Sequence, residues 1–159
     1  MSKRGFTLIE VLLVIGLIAI LAAIVIIAIN PARQFAQARN TQRSGNVNAI
    51  LNAVHQNMID NSGIFTCDVD GSGTIEPNGA DGIPTTTAAN MGSGATDFDI
   101  CGCLVDRYLA EMPYDPVTGS YTDCTTYDTG YTILQSTANN RITVAAPAAE
   151  LGETIDVTR

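Results

Sequence analysis

The most constraining feature of this 159-residue chain is a long apolar run at residues 6–29, FTLIEVLLVIGLIAILAAIVIIAI. As an α-helix these 24 positions would reach about 36 Å, at about 1.5 Å per residue. That length exceeds the roughly 30 Å hydrocarbon core of a bilayer. Lys3 and Arg4 stand just before the run, where positive charge holds the preceding end in the cytoplasm. The run therefore predicts a transmembrane helix.

Glu10 is the one charged residue inside the run, and it bears on how the run should be interpreted. A cleaved secretory signal has an apolar region of about 7–15 residues that ends at a small-residue cleavage site, and this run is too long for that. A plain single-span anchor accounts for the length but leaves the carboxylate without a counter-ion. A glutamate near the helix end could still reach the lipid headgroups, so the anchor remains an alternative.

A third interpretation supplies the counter-ion. If the chain is cut between Gly5 and Phe6, Phe6 gains a free α-amine and the basic pair Lys3 and Arg4 is removed. Glu10 then follows the new amine by four residues, about one helical turn. Within one chain, or between staggered neighbours, the ammonium and the carboxylate could neutralise each other in a dry environment. The cut helix would then be free to leave the bilayer and bury its apolar length against copies of itself.

The stretch KRGFTLIEVLLVIGLIAILAAI resembles the class III signal peptide of type IV pilins and type II secretion pseudopilins. The resemblance implies a leader at residues 1–5, cleavage after Gly5 by a prepilin peptidase, and N-methylation of Phe6. It also implies that Glu10 pairs with the N-terminal amine during assembly of a homopolymer. Family members whose helix partly melts in the filament commonly carry a proline in the apolar run, whereas here Gly16 is the only helix-weakening residue within it.

Residues 30–61 predict a second, amphipathic helix. Asn30 can cap it and Pro31 suits a first helical turn. Apolar residues recur at helical spacing and predict a stripe that faces the core: Val47, Ile50, Leu51, Val54 and Met58. A basic collar that faces headgroups, acidic patches on adjacent subunits or solvent is predicted from three arginines: Arg33, Arg39 and Arg43.

Residues 62–159 predict a globular head. Three segments have strand patterning and predict a small antiparallel sheet: YTILQ (131–135), RITVAA (141–146) and TIDV (154–157). CGCLVDRYLAEM (101–112) predicts a short helix, and glycine-rich residues 71–94 predict a long loop. The predicted fold class is α+β, with a long N-terminal helix, one half transmembrane and one half amphipathic, packed on the sheet.

The four cysteines are Cys67, Cys101, Cys103 and Cys124. An even count behind an export-type N-terminus predicts two disulfides and an oxidising compartment. A Cys101–Cys103 bridge would close a strained, very small ring, which leaves two favoured pairings. They are Cys67–Cys101 with Cys103–Cys124, and Cys67–Cys103 with Cys101–Cys124. A four-thiolate zinc site is the alternative, but the spacing lacks the usual pair of C-x-x-C segments.

The segment DVDGSGTIEPNG begins as an EF-hand loop does. Four oxygen-bearing residues stand at ligand positions and predict a calcium site: Asp68, Asp70, Ser72 and Glu76. Position twelve, which should be a bidentate glutamate, is Gly79, and Pro77 prevents a following helix. An acidic surface loop rich in Asx turns is the alternative interpretation.

Charge and motif content argue against other classes of function. The formal net charge is −8, so the head would repel the phosphate backbone of a nucleic acid. The chain has one histidine and neither a Ser/His/Asp set nor a phosphate-binding glycine loop before a helix, so we expect it not to be an enzyme.

The function predicted from these features is that of a structural subunit. A prepilin peptidase processes it in the cytoplasmic membrane, and it then polymerises into an extracellular type IV pilus. One alternative is a pseudopilin of a type II secretion-like system, because MPYDPVTGSYT, with GYTI following, also resembles the Pro-x-Asp-Pro-x-x-Gly loop of many pseudopilins. Another is a membrane-anchored extracellular calcium-binding module that never polymerises.

Overall fold

The structure is a computed structural model that describes residues 5–66 and 82–159. By its internal packing the chain divides into two compact units, one ending at Gln37 and the other comprising Ala38–Arg159. The first unit contains the apolar helix and the start of the next helix. The second, here called the head, contains the rest of that helix and every strand found among residues 5–66 and 82–159.

Helix α1 spans Leu8–Ile29, so it begins two residues later than the sequence predicted. Thr7 has extended backbone and caps the helix, its Oγ1 accepting a hydrogen bond from the backbone N–H of Glu10 at 3.4 Å. All side chains of α1 are exposed. In the described part of the chain, α1 is the one helix long and apolar enough to cross a membrane.

Helix α2 spans Pro31–Asp60. Asn30 separates it from α1 with a left-handed backbone (φ 47°), and the Asn30 side chain accepts a hydrogen bond from the backbone N–H of Arg33. The predicted apolar stripe is confirmed: Val47, Ile50, Leu51 and Val54 are fully buried and Met58 is partly buried. At the far end, Gly63 has φ 92° and donates its N–H to the carbonyl of Met58 at 2.7 Å, as in a glycine C-cap.

In the described part of the head, the sheet is antiparallel and has five strands. They are β1 (Ala89–Gly92), β2 (Ser120–Asp123), β3 (Thr126–Gln135), β4 (Ile142–Ala145) and β5 (Asp156–Thr158). The strand order is β1-β3-β4-β5, and β2 also pairs with β3. The three predicted strands are confirmed as β4, β5 and the second half of β3. Ile133 pairs with Val144, which pairs with Val157.

Two predictions about the head were wrong. The loop predicted for residues 71–94 contains β1, a strand whose pairing with β3 is interrupted by an irregularity between Asn90 and Gly92. The helix predicted for residues 101–112 is only the short α3 (Cys101–Leu104). Val105 is extended and Asp106 has φ 69°, and both conformations interrupt a right-handed helix.

The core lies between α2 and the sheet. Ile50, Leu51 and Val54 of α2 share one buried cluster with Ile133 and Val144 of the sheet. Side chains from the connecting segments complete the same cluster: Phe65, Met91, Ile100, Leu104 and Met112. Alternate residues of β3 are buried and the residues between them are half-buried or exposed, as expected for a strand with one face on the core.

Candidate assembly segment and head ion network

The predicted processing point lies in exposed, non-helical chain. Gly5, Phe6 and Thr7 precede α1, and Phe6 is 83% exposed. Extended, exposed backbone is the form in which proteases reach a peptide bond. The Gly5–Phe6 bond is therefore accessible in this conformation.

Glu10 lies in the first turn of α1, and its side chain is exposed. A carboxylate there is favoured by the unpaired N–H groups at the start of the helix. Because the helix begins at Leu8, Phe6 stands outside it. The pairing of Glu10 with an amine on Phe6 concerns the chain cut after Gly5, and it stays a prediction. Pairing between neighbouring chains does not depend on the spacing of Phe6 and Glu10 within one chain.

The residues of α1 after Glu10 form an apolar surface that extends all around the helix. Large aliphatic side chains such as Leu12, Ile18 and Ile24 are each about 60% exposed. Leaving that much leucine, isoleucine and valine in water is unfavourable, at about 1.5–3 kcal/mol per fully exposed side chain. A helix that is hydrophobic on every side belongs in a membrane or in a protein core.

A buried ion pair joins α2 to the loop before β2. Arg43 Nε is 2.6 Å from Asp115 Oδ2, and Arg43 Nη2 is 3.2 Å from Asp115 Oδ1, a bidentate arrangement. Both side chains are at most 1% exposed. The hydrogen bond that the Arg43 guanidinium donates to the Asp115 carboxylate is the largest influence on the pKa of Arg43, and it raises that pKa. Burial acts to raise the pKa of Asp115, but the hydrogen bonds from Arg43 and from the backbone of Val117 and Thr118 outweigh it and lower the pKa.

Glu150 extends this pair into a network. It accepts two hydrogen bonds from Arg39, each 2.6 Å long, and a third from Arg43 Nη1 at 2.8 Å. The bonds from Arg39, followed by those from Arg43, lower the pKa of Glu150 to about 2. Asn40 fixes the same segment by bonding both the carbonyl and the N–H of Glu150 and the carboxylate of Glu153. We call Arg39, Asn40, Arg43, Asp115 and Glu150 the head ion network.

The network corrects the prediction of a basic collar. Arg43 is buried, and Arg39 forms a two-bond ion pair with Glu150, so two of the three arginines hold the head together. Arg33 alone of the three is exposed, and it forms no ion pair among the described residues. The sequence did not predict this network. It did single out Asp115, as the aspartate of the segment that resembles the Pro-x-Asp-Pro-x-x-Gly loop of pseudopilins.

The Asp-Pro loop, MPYDPVTGSYT (residues 112–122), has a geometry that requires glycine at position 119. Asp115 Oδ1 accepts the N–H of Val117 at 2.8 Å and of Thr118 at 3.0 Å, which closes a tight Asx turn. A Cβ atom on Gly119 would stand 2.6 Å from the backbone nitrogen of Asp115 and 2.7 Å from the carbonyl oxygen of Thr129. Glycine is therefore needed at position 119 for the loop to approach β3.

One disulfide joins Cys101 of α3 to Cys124, which stands between β2 and β3, with 5.2 Å between the Cα atoms. Of the two favoured pairings, the structure excludes the one that contains Cys67–Cys101 and Cys103–Cys124. Cys103 is also disulfide-bonded, and Cys67 lies outside the described residues.

The predicted calcium ligands Asp68, Asp70, Ser72 and Glu76 also lie outside the described residues. Within residues 5–66 and 82–159, no three His, Cys, Asp or Glu side chains come together in a group that could hold a metal ion.

Comparison with known families agrees with the N-terminal geometry. Residues 1–29 match the family model described as the prokaryotic N-terminal methylation motif. The first 29 residues of the chain thus carry the methylation motif, which is the class III signal peptide found in type IV pilins and pseudopilins. The motif implies processing by a prepilin peptidase. Searches of curated proteins and of solved structures gave no significant match.

Proposed function

We propose that this protein is a structural subunit that a prepilin peptidase cuts between Gly5 and Phe6 and that then polymerises into a type IV pilus. The observation that carries the proposal is the combination in one segment of an accessible Gly5–Phe6 bond, a carboxylate in the first helical turn, and an apolar surface on every side of α1. The methylation motif at residues 1–29 supports the same assignment.

The physical reason for polymerisation is the burial of α1. In the precursor, the bilayer covers the apolar surface. Once the basic leader is removed, the same surface can instead be covered by α1 helices of other subunits, and Glu10 of each chain neutralises the amine of a neighbour. An unpaired charge in such a dry bundle is strongly unfavourable, so the pairing also fixes the stagger between subunits. The acidic heads remain outside the bundle.

Mass spectrometry of the protein isolated from its own cells tests the processing step. We expect a chain that begins with N-methylated Phe6. Lys3 is the only lysine in the sequence, so the processed chain has a single amine, at its N-terminus. An amine-reactive reagent should label that site in detergent-dissolved subunits, and assembly should protect it. Gly5→Val, which places a branched side chain at the cleavage point, is the matched control and should keep Lys3 and its reactivity. An uncut wild-type chain would contradict the proposal.

A pseudopilin of a secretion machine is the second candidate function. It is favoured by the Asp-Pro loop, which resembles that of pseudopilins and in this head is held by the buried pair of Asp115 with Arg43. Filaments sheared from the cell surface distinguish the two. A pilus subunit should be abundant in the sheared fraction, and a pseudopilin should stay in the envelope.

We further propose that the segment at residues 68–76 binds calcium, on the basis of the EF-hand-like spacing of its oxygen-bearing residues. Calorimetric titration of the folded chain with Ca²⁺ should give a weak site of the kind found in extracellular modules, about 10⁻⁴–10⁻³ M. The double substitution Asp68→Asn and Asp70→Asn should abolish the heat, whereas Asp156→Asn should not. A wild-type chain that binds no calcium at millimolar concentration would remove both this site and the non-polymerising calcium-module alternative.

A further inference from the structure

The start of α1 carries a helix-start pattern in both sequence and structure. Thr7 and Glu10 have the order and spacing of a capping box, Thr-x-x-Glu, in which the first side chain accepts a hydrogen bond from the N–H of the fourth residue. That bond is present, from Glu10 to Thr7 Oγ1 at 3.4 Å. The carbonyl of Thr7 also accepts the N–H of Glu10 at 3.1 Å and that of Val11 at 3.3 Å. Thr7 therefore supplies acceptors to N–H groups of the first turn, which a helix start otherwise leaves unpaired.

Phe6 and Val11 provide a second pattern at the same place. Phe6 directly precedes the cap and Val11 is the fourth residue after it, which are the two positions of a hydrophobic staple. Both side chains line one open groove beside the first turn of α1. A staple fixes the angle at which the chain enters its helix. The six residues 6–11, FTLIEV, thus specify where α1 begins and how the preceding chain joins it.

Gly5 opposes extension of the helix toward the leader. A Cβ atom at this position would meet nothing within 4 Å, so the packing of the chain does not require glycine there. Glycine is, however, the poorest helix former apart from proline. Thr7 has extended backbone, with φ −80° and ψ 149°. Gly5 and Thr7 therefore act in the same direction, and the Gly5–Phe6 bond lies in non-helical chain.

We propose that Thr7 is a positioning residue for the cleavage step: by capping α1 it holds the Gly5–Phe6 bond outside the helix, where a peptidase can bind it. A peptide bond inside a helix has its N–H and C=O groups bonded internally, so it offers few groups to an enzyme. A bond in extended chain offers both. The inference rests on the proposed function, because it concerns the peptidase step with which that function begins.

The apolar character of α1 makes the cap important. Unpaired N–H groups are costly next to hydrocarbon, so a helix that starts there is either capped or extends until its first N–H groups reach water. With Thr7 in place, the helix is capped and begins at Leu8. Without a side-chain acceptor at position 7, extension toward the leader becomes more favourable, and it draws the Gly5–Phe6 bond into the first turn.

Cleavage of the full precursor in detergent micelles by a prepilin peptidase tests this role. Thr7→Val has nearly the shape of threonine but lacks the acceptor, and we expect its KM to rise about fivefold. That factor corresponds to about 1 kcal/mol, a typical cost of removing an N-cap. The kcat should not change, because the substitution lowers only the fraction of substrate in the conformation that binds.

Thr7→Asn is the matched control, because asparagine differs from threonine in shape but caps a helix at least as well. Its KM should stay within about twofold of the wild-type value. If Thr7→Asn is cut as poorly as Thr7→Val, the peptidase recognises the threonine side chain itself and the positioning role is wrong. A Thr7→Val precursor that is cut with the wild-type KM would also overturn it.

The carbon chemical shifts of Phe6 in the uncut precursor measure the same conformation without the peptidase. They should be those of extended chain in the wild type and in Thr7→Asn, and they should move toward helical values in Thr7→Val. Unchanged shifts in Thr7→Val would overturn the positioning role, whatever the cleavage rates. A wild-type precursor with an extended Phe6 that the peptidase leaves uncut would instead overturn the proposed function, and the positioning role with it.

Discussion

The two units of this protein use apolar side chains in opposite ways. In α1 every side chain is exposed, and nothing in the helix's own unit covers its leucines and isoleucines. In the head, aliphatic residues at helical spacing on α2 are fully buried against the sheet, and even an arginine is buried with its counter-ion. The difference teaches that the head buries its own apolar residues, whereas the apolar surface of α1 is left uncovered within its own unit. The proposed function assigns that cover to lipid before assembly and to other subunits after it. Substitutions should therefore separate cleanly into those that affect assembly and those that affect folding.

The largest expected effect is on assembly. Glu10→Val leaves the amine of a neighbouring chain unpaired in the apolar bundle, at about 3–5 kcal/mol for each broken buried pair. That corresponds to at least a hundredfold loss in contact affinity, so filaments should disappear. The thermal unfolding of the head should not change. Glu10→Asp keeps the charge and should retain part of the assembly. Normal filaments from the valine variant would show that charge pairing does not guide assembly.

A comparable change in the head should affect folding instead. Asp115→Ala leaves Arg43 buried and unpaired and should lower the free energy of unfolding by about 3–5 kcal/mol, measured by urea denaturation. The control replaces both partners with apolar residues, Arg43→Met together with Asp115→Leu. That double variant should recover much of the loss, because no uncompensated charge remains. If the single variant is as stable as wild type, the buried pair is not what holds the Asp-Pro loop to α2.

Replacing either of two glycines by alanine should change the stability of the head by a smaller amount. The two changes should have opposite signs. Gly119→Ala puts a Cβ against backbone atoms of Asp115 and Thr129 and should destabilise the head by about 1–3 kcal/mol. Gly45 lies in α2 with nothing within 4 Å of the added Cβ. Gly45→Ala should therefore stabilise the head by up to about 1 kcal/mol, the helix-propensity difference. The urea concentration at the unfolding midpoint measures the stability of each variant. Equal effects at the two positions would contradict the close approach of Gly119 to the backbone of Asp115 and Thr129.

The smallest effect depends on pH. The pKa of Glu150 falls from its ordinary value of about 4.5 to about 2 in the folded head, because Arg39 and Arg43 bond its carboxylate. A lowered carboxyl pKa gives stability that is fully present above pH 4.5 and is lost as the pH falls toward 2. Glu150→Gln should thus be less stable than wild type at pH 7, and the gap should narrow between pH 4.5 and 2 in thermal unfolding. Glu111→Gln, at an exposed residue, is the matched control for replacing a glutamate by a glutamine.

The parts of the molecule that sequence predicted are those with local patterns. The apolar run became α1, and the i, i+3, i+4 spacing of Val47, Ile50 and Leu51 correctly gave the buried face of α2. The strand YTILQ was found because alternating apolar residues mark a half-buried strand. Periodicity needs only neighbouring positions, which is why these predictions succeeded.

The parts that were missed depend on distant partners. Arg43 was predicted to lie at the surface because nothing near it in sequence marks its contacts with Asp115 and Glu150, which are 72 and 107 positions away. Strand β1 has only four residues, and its glycine and pairing irregularity hide the alternation. The helix predicted over 101–112 failed at Asp106, which has a left-handed backbone and donates its N–H to the carbonyl of Leu109, a local turn that the pattern of apolar residues did not reveal. The apolar helix begins at Leu8 and not at Phe6, because Thr7 caps it.

The sequence separation inside the head ion network has a consequence for the export that the proposed function requires. Arg39 and Glu150 are 111 positions apart, so their ion pair can form only when both ends of the head are on the same side of a membrane. The entropy of closing so long a loop must be overcome before the contact contributes anything, so this step comes late in folding. An exported head would therefore lack this ion pair during translocation and would complete its fold only after residue 150 had crossed, which would make passage back across the membrane unfavourable.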